Sequence, residues 1–85
     1  MQIIYSPTFR KQYRHLEKEA QILAEEKETI FKNNPFDVRL KTHKLHGRLS
    51  NLWSFSLNLK LRVVFEFGEN QSVVFHAIGH HDIYE

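Results

Sequence analysis

The stretch WSFSLNLKLRVVFEFGENQSVVFHAI, residues 53–78, decides the fold of this chain. It contains three runs in which hydrophobic side chains recur at every second position, beginning at Trp53, Leu61 and Val73. A period of two places one set of side chains on the core face of a β-strand and the other set on the opposite face. The breaks at residues 58–60 and 68–71 are short enough for hairpins. The stretch therefore predicts a three-stranded antiparallel meander.

The N-terminal part of the chain predicts one strand and two helices. Gln2 to Tyr5 is short and apolar, and Ser6 is a good helix cap before Pro7, which is tolerated at the first helical position. Apolar residues then recur at helical spacing until Pro35, which pushes the preceding residue out of the helical region. A single helix of about 26 residues would be about 39 Å long. We therefore predict a hairpin of two helices with a break at residues 16–19.

The element order β-α-α-β-β-β predicts an α+β fold, in which a curved antiparallel sheet carries a two-helix hairpin on one face. The chain has 85 residues and is expected to form a single domain, residues 1–85. Residues 36–50 are polar and basic and are interpreted as a connection. In the third run, strict alternation assigns Ala77 to the core face and Ile78 to the opposite face.

Composition excludes several classes of protein. The chain has no cysteine, which rules out disulfides, thiolate nucleophiles and cysteine-ligated zinc, and fits a reducing cytosol. No apolar run approaches the ~20 residues that span a membrane. The first residues lack the pattern of a signal peptide. We therefore expect a cytoplasmic protein without a membrane partner.

Charge is divided unevenly along the chain, although the net charge is only +2. Residues 17–28 hold five acids and two lysines. Residues 39–62 contain no acid and hold six cations: Arg39, Lys41, Lys44, Arg48, Lys60 and Arg62. The basic part suits a phosphate backbone, and an ordinary solvated surface is the alternative interpretation.

Groups that could carry chemistry flank the meander on both sides: His43, His46, Arg48, His80, His81 and Tyr84. Alternation predicts that Arg62 lies on the face away from the helices, near Ser54 and Ser56 across the hairpin. If the end of the last strand approaches the segment before the first, these groups share one basic pocket. His15 and His76 are interpreted as surface residues without a role, and Trp53 as a core residue rather than a stacking platform.

Such a pocket suits RNA cleavage by transphosphorylation, which needs a base, a cation at the phosphate and an acid. Histidine suits the base and the acid because its pKa ordinarily lies near neutrality. Arginine suits the phosphate because its planar fork donates two hydrogen bonds at once. The reaction requires no metal and no cofactor. Zinc binding by the four imidazoles is the less favoured alternative, because no cysteine or acidic ligand cluster accompanies them.

The sequence also resembles the toxins of the RelE/ParE superfamily from type II toxin–antitoxin systems, in particular the RelE, YafQ and HigB branch. The features that carry the resemblance follow in order along the chain: Ser6-Pro7-x-Phe9, Asn34-Pro35, His43-Lys44-Leu45-His46-Gly47, Trp53-Ser54-Phe55, Leu61-Arg62-Val63-Val64-Phe65, and Ile78-Gly79-x-His81-Asp82 with Tyr84. Each piece is weakly specific alone. Their order and spacing together indicate the superfamily over essentially the whole chain.

The resemblance implies an endoribonuclease that cleaves messenger RNA in the ribosomal A site and is neutralised by a cognate antitoxin in a hetero-oligomer. It matches Arg62 to the strand arginine that contacts phosphate, and Tyr84 to the terminal aromatic residue. It also matches His81 and His43 to two histidines of YafQ-like members.

The chain departs from the family at three positions. RelE has lysines where Ser54 and Ser56 stand. YafQ-like members have a histidine near Ser56 and an aspartate near Lys60.

We predict the general acid to be His81 or its neighbour His80, and the base to be His43 or His46. Arg62, with Arg48, is the predicted phosphate clamp, and Tyr84 is predicted to orient a base or the phosphate. Contacts to RNA or phosphate are predicted for the polar residues nearby: Lys41, Lys44, Arg48, Ser54, Ser56 and Lys60.

Two other functions are compatible with the resemblance. A ParE-like protein poisons DNA gyrase and is a binding module without nuclease chemistry. A catalytically weak homologue would act only by binding its antitoxin.

Overall fold

The structure, a computed structural model, describes residues 1–80, and within that range two helices pack on one face of a five-stranded sheet. The helices and strands are β1 (Gln2–Tyr5), α1 (Pro7–Arg14), α2 (Lys18–Asn33), β2 (His43–Lys44), β3 (Trp53–Ser56), β4 (Leu61–Phe67) and β5 (Ser72–His80). The predicted α+β fold with a helix hairpin on one face is confirmed.

The sheet has the order β1-β5-β4-β3-β2. It is mixed rather than wholly antiparallel, because β1 runs parallel to β5 while every other pair is antiparallel. The expected connection at residues 36–50 also contains structure. It holds the edge strand β2 and two 3₁₀ turns, Val38–Leu40 and Gly47–Leu49.

Ser6 fixes the start of α1 on the sheet. Its hydroxyl accepts a hydrogen bond from the Phe9 amide at 3.0 Å and donates one to the His76 carbonyl at 2.9 Å. The helix break lies where the pattern predicts it, between the end of α1 and the start of α2. Among residues 1–80, neither helix is long and apolar enough to cross a membrane.

Phe31 on α2 is the centre of the hydrophobic core. It is fully buried, and its ring centroid lies 4.9 Å from those of Phe55 and Phe65 and 5.3 Å from that of Phe75. These three partners come from β3, β4 and β5, so one helical side chain holds α2 against three strands.

A β-bulge changes the facing of side chains in β5. The register shifts between Val64, which pairs with Ala77, and Phe65, which pairs with Phe75. As a result Ile78 is buried in the core with Phe75, whereas Ala77 is not. The assignment of Ala77 to the core face and Ile78 to the opposite face was wrong, because strict alternation does not register an extra residue in one strand.

We predict that Phe31→Ala lowers the free energy of unfolding by about 3–5 kcal/mol, because it leaves a cavity among three rings. Urea unfolding followed by Trp53 fluorescence measures this loss. The control is Val38→Ala, whose side chain is 87% exposed and whose effect is expected to stay within about 0.5 kcal/mol. Equal stability of the two variants would contradict the assigned core.

Candidate functional site

The sheet face opposite the helices carries the candidate site. Pairing of β2 with β3 sets His43 opposite Ser54, and one row further Ser56 is opposite Arg62, which is opposite Gly79. Directly paired residues in antiparallel strands point to the same side. His43 and Arg62 therefore share this face, with two strand spacings and a two-residue offset between them, or roughly 12 Å between Cα atoms.

His43 is exposed on the edge strand, and a hydrogen bond selects its tautomer. Its Nδ1 lies 3.1 Å from the Lys41 carbonyl oxygen. A carbonyl only accepts hydrogen bonds, so Nδ1 must carry the hydrogen, and in the neutral ring Nε2 keeps its lone pair. Lys41 has a left-handed backbone with φ 52° at the turn before the strand. The ring is thus held with a proton acceptor at Nε2.

Arg62 is half-buried on the same face, and its guanidinium is anchored at one nitrogen. Nη1 donates to the Asn58 carbonyl at 2.7 Å and to the Leu61 carbonyl at 3.2 Å. Its Nε and Nη2 groups have no hydrogen-bond partner within residues 1–80. These donors are available to a phosphate, which arginine binds in a two-pronged arrangement.

The two serines of β3 differ in accessibility. Ser56 is half-buried beside Arg62, as predicted. Ser54 also lies on this face, but it is fully buried, and its hydroxyl has no hydrogen-bond partner in the part of the chain that the structure describes. The predicted phosphate contact at Ser54 is corrected accordingly, because no ligand on the surface reaches this oxygen.

Because of the bulge between β4 and β5, the side chain of His80 does not lie on this face. It belongs to β5 rather than following it, and it pairs with the core residue Leu61, so its side chain points to the helix side. There it lines an open groove with Lys11 of α1 and with His15, which follows the last residue of that helix. The predicted approach of His80 to His43 is therefore corrected, since two strands, or roughly 14 Å, separate β5 from β2.

Two other predicted site residues, His81 and Tyr84, lie outside the described residues.

The sequence matches no protein-family model and no curated protein, but its structure matches solved structures. The YoeB/ParE toxin from Agrobacterium tumefaciens has a TM-score of 0.81 at 18% identity, over 95% of this chain and 99% of that chain. YafQ from E. coli has a TM-score of 0.77 at 18% identity, over 93% and 91%. The toxin–antitoxin complex RelBE2 from Mycobacterium tuberculosis has a TM-score of 0.79 at 16% identity, over 94% and 96%.

This chain has the fold of the RelE/ParE toxins. The fold predicted from the order of the sequence motifs is confirmed, because the matches cover nearly the whole chain. At 16–18% identity the likeness concerns the fold alone. The chemistry of this chain must therefore be argued from its own residues.

The cations that were predicted to contact RNA beside Arg62 are exposed and lie at different places around the sheet. His46 and Arg48 follow β2 around the turn Gly47–Leu49, and Lys60 lies in the turn before Arg62. Lys44 pairs with Trp53 and points to the helix side, so any contact that it makes with RNA lies on the face opposite Arg62. Alternation along β2 sends Lys44 and His43 to opposite faces.

Some other charged groups are paired with each other. Arg39 makes an ion pair with Asp37 at 2.9 Å, and hydrogen bonds from Arg39 lower the pKa of that carboxyl to about 2. At the far end of the open face, His76 Nε2 lies 2.9 Å from Glu66 Oε1. Within residues 1–80, Arg62 is a partly buried cation on the face that also holds His43.

A second cleft, of about 520 Å³, opens between the helices and the core side of the sheet. Tyr5 lines it, and its hydroxyl donates to Glu28. Burial, followed by this hydrogen bond, raises the pKa of Tyr5, and burial raises that of Tyr13. Both phenols therefore stay neutral at physiological pH. Among residues 1–80 no three histidine or carboxylate side chains converge on a metal position.

We predict that Ser54→Ala raises the free energy of unfolding by about 1 kcal/mol, because it removes a buried hydroxyl without a partner. Urea unfolding measures the change, with the exposed Ser50→Ala as the control. A loss of stability in Ser54→Ala would show that the hydroxyl is satisfied in solution.

Proposed function

We propose that this protein is the toxin of a type II toxin–antitoxin system and that it cleaves messenger RNA by transphosphorylation without a metal or cofactor. The observation that carries the proposal is the shared face of the sheet. On it, the hydrogen bond at Nδ1 of His43 leaves Nε2 as the acceptor of the neutral ring. The Nε and Nη2 donors of Arg62 have no hydrogen-bond partner within residues 1–80. A fold found in YoeB/ParE, YafQ and RelBE2 proteins supports the assignment.

His43 is the proposed general base. Its Nε2 would take the proton from a ribose 2′-hydroxyl, whose oxygen then attacks the adjacent phosphorus. The carbonyl of Lys41 would steady the imidazolium that forms, because Nδ1–H already donates to it. His46 remains the second candidate, but no hydrogen bond of its ring within residues 1–80 selects a tautomer. This difference favours His43.

Arg62 is the proposed phosphate clamp. Its Nε and Nη2 donors would hold two non-bridging oxygens and stabilise the charge that accumulates as the 2′-oxygen attacks. The anchoring of Nη1 to two backbone carbonyls fixes the guanidinium before substrate arrives. Ser56 and Lys60 would add weaker contacts beside Arg62, at the turn between β3 and β4. Arg48 follows β2 at the opposite end of β3 and would meet the RNA backbone further along.

His81 is the proposed general acid, and Tyr84 is proposed to orient the scissile phosphate. The acid would protonate the departing 5′-oxygen as its bond to phosphorus breaks, leaving a 2′,3′-cyclic phosphate and a 5′-hydroxyl. His80 points to the helix side and is the weaker candidate. His81 follows His80 in the chain, and Gly79, which precedes His80, pairs with Arg62.

An antitoxin is the proposed protein partner, since the RelBE2 match is the structure of a toxin–antitoxin complex. We further propose that the substrate is messenger RNA on the ribosome, in the cytoplasm. The run of cations without acids at residues 39–62 suits approach to RNA.

We predict that His43→Gln lowers the cleavage rate by about 10²- to 10⁴-fold, the range for losing a general acid or base. We predict that Arg62→Lys lowers it by about 10²- to 10³-fold, the range for losing a donor that stabilises transition-state charge. Lysine is not a substitute for Arg62, because it cannot form the two-pronged contact. Induction in cells, with growth and transcript 5′ ends followed together, measures the effect. The control is His15→Gln, at an exposed histidine just after α1, and this variant is expected to arrest growth like the wild type.

The same experiment separates the alternatives. Arrest with DNA damage and unchanged transcript ends would indicate a gyrase poison. Harmless induction of the wild-type chain would indicate a homologue that only binds its antitoxin. Either result, or full activity of His43→Gln together with Arg62→Lys, would overturn the proposal.

A further inference from the structure

Three aromatic rings lie together at the surface beyond the end of α2, and we call Phe36, Trp53 and Phe67 the aromatic patch. Ring centroids are 5.5 Å apart for Phe36 and Trp53, 5.5 Å for Trp53 and Phe67, and 5.8 Å for Phe36 and Phe67. Phe36 is 54% exposed and Phe67 is 38% exposed. Contiguous exposed rings of this kind make the patch a candidate binding site.

Packing of the core does not account for the exposed rings of Phe36 and Phe67. Trp53 packs against the core cluster, and the Phe67 ring meets the core residue Phe65 edge-on with 5.2 Å between centroids. Neither Phe36 nor Phe67 is a member of that cluster. Other exposed apolar side chains, such as Val38 and Leu59, make no ring contacts of this kind. Trp53 therefore packs against the core, as interpreted from the sequence, and its ring is also part of the aromatic patch.

The charge beside the patch is positive. Lys44 pairs directly with Trp53, so it lies on the same side of the sheet, and it is exposed. Residues 39–65 contain no acid, and the acids that flank this range have partners, Asp37 with Arg39 and Glu66 with His76. Aromatic faces next to a cation are the combination that binds single-stranded nucleic acid, because the rings stack on bases while the cation meets the phosphates.

The edge strand β2 connects the patch to the candidate site. His43 faces the site, and its neighbour Lys44 faces the patch. Since β2 has only two residues and lies at the edge of the sheet, a flexible RNA strand crossing it would touch both faces. An RNA held at Arg62 and His43 could thus place a base a few nucleotides away on the patch.

We propose that the aromatic patch and Lys44 form a platform on which bases of single-stranded RNA stack. The proposal rests on RNA being the ligand of the proposed function. The run of cations without acids favours RNA over a protein partner, which becomes an outcome of the test.

Trp53 is the only tryptophan in the chain, so all of the indole emission comes from a member of the patch. The full chain is titrated with a 12-nucleotide single-stranded RNA of mixed sequence, 2′-O-methylated to prevent cleavage and labelled for anisotropy. Binding is expected to quench Trp53 in parallel with the anisotropy change, because a stacked base quenches indole emission.

Phe36→Ala and Phe67→Ala are each expected to weaken binding by at least about 5-fold, the lower end for the loss of one base-stacking ring. Lys44→Gln is expected to reduce the slope of log affinity against log salt by about 0.7, the value for one phosphate contact on a single strand. The matched control Val38→Ala, 87% exposed and without ring contacts, is expected to bind like the wild type. Thermal melts confirm that each variant is folded.

Full binding by anisotropy without quenching of Trp53, or equal affinity of Phe36→Ala, Phe67→Ala and Val38→Ala, would overturn the proposal. Unchanged RNA affinity with loss of self-association, measured by sedimentation, would assign the patch to a protein interface and overturn it too. Because the oligonucleotide cannot be cut, the outcome is separate from that of the proposed function. Stacking without cleavage in cells would keep the platform and remove the nuclease.

Discussion

The register among β3, β4 and β5 is the constraint on which the rest of the structure depends. On one face it gathers Phe55, Phe65 and Phe75 around Phe31 of α2, and this burial fixes the pairing, because a slip of one residue would turn the rings to solvent. The same pairing fixes which residues lie opposite one another on the other face. Arg62 must then stand between Ser56 and Gly79.

The bulge in the pairing of β4 and β5 decides which groups reach the open face. It brings both Phe75 and Ile78 into the core, and with Ile78 it turns His80 toward the helices. The edge strand β2 makes the complementary division, since His43 and Lys44 alternate to opposite faces. A chain of 85 residues thus presents two different surfaces on the two sides of one short edge strand, a polar one with His43 and Arg62 and an aromatic one with Lys44.

Much of this fold could be predicted from the sequence, because its signals are local. The cap at Ser6, the break between the helices and the three alternating runs depend on neighbouring residues. The bulge, the parallel pairing of β1 and the strand at His43 depend on partners far along the chain, which periodicity does not show. The burial of Ser54 and the clustering of Phe36 with Phe67 were missed for the same reason, although two exposed aromatics in polar surroundings were a visible signal.

The central claim is that the open face of the sheet cuts RNA with its own side chains through attack by a 2′-oxygen. The most direct measurement is the chemistry of the ends produced when the purified chain and ribosomes act on a defined messenger RNA, read by mass spectrometry. The account predicts a 2′,3′-cyclic phosphate on one fragment and a 5′-hydroxyl on the other, with no cut where the attacking nucleotide is 2′-deoxy. A 5′-phosphate and a 3′-hydroxyl, or cutting that ignores the 2′-deoxy substitution, would contradict it.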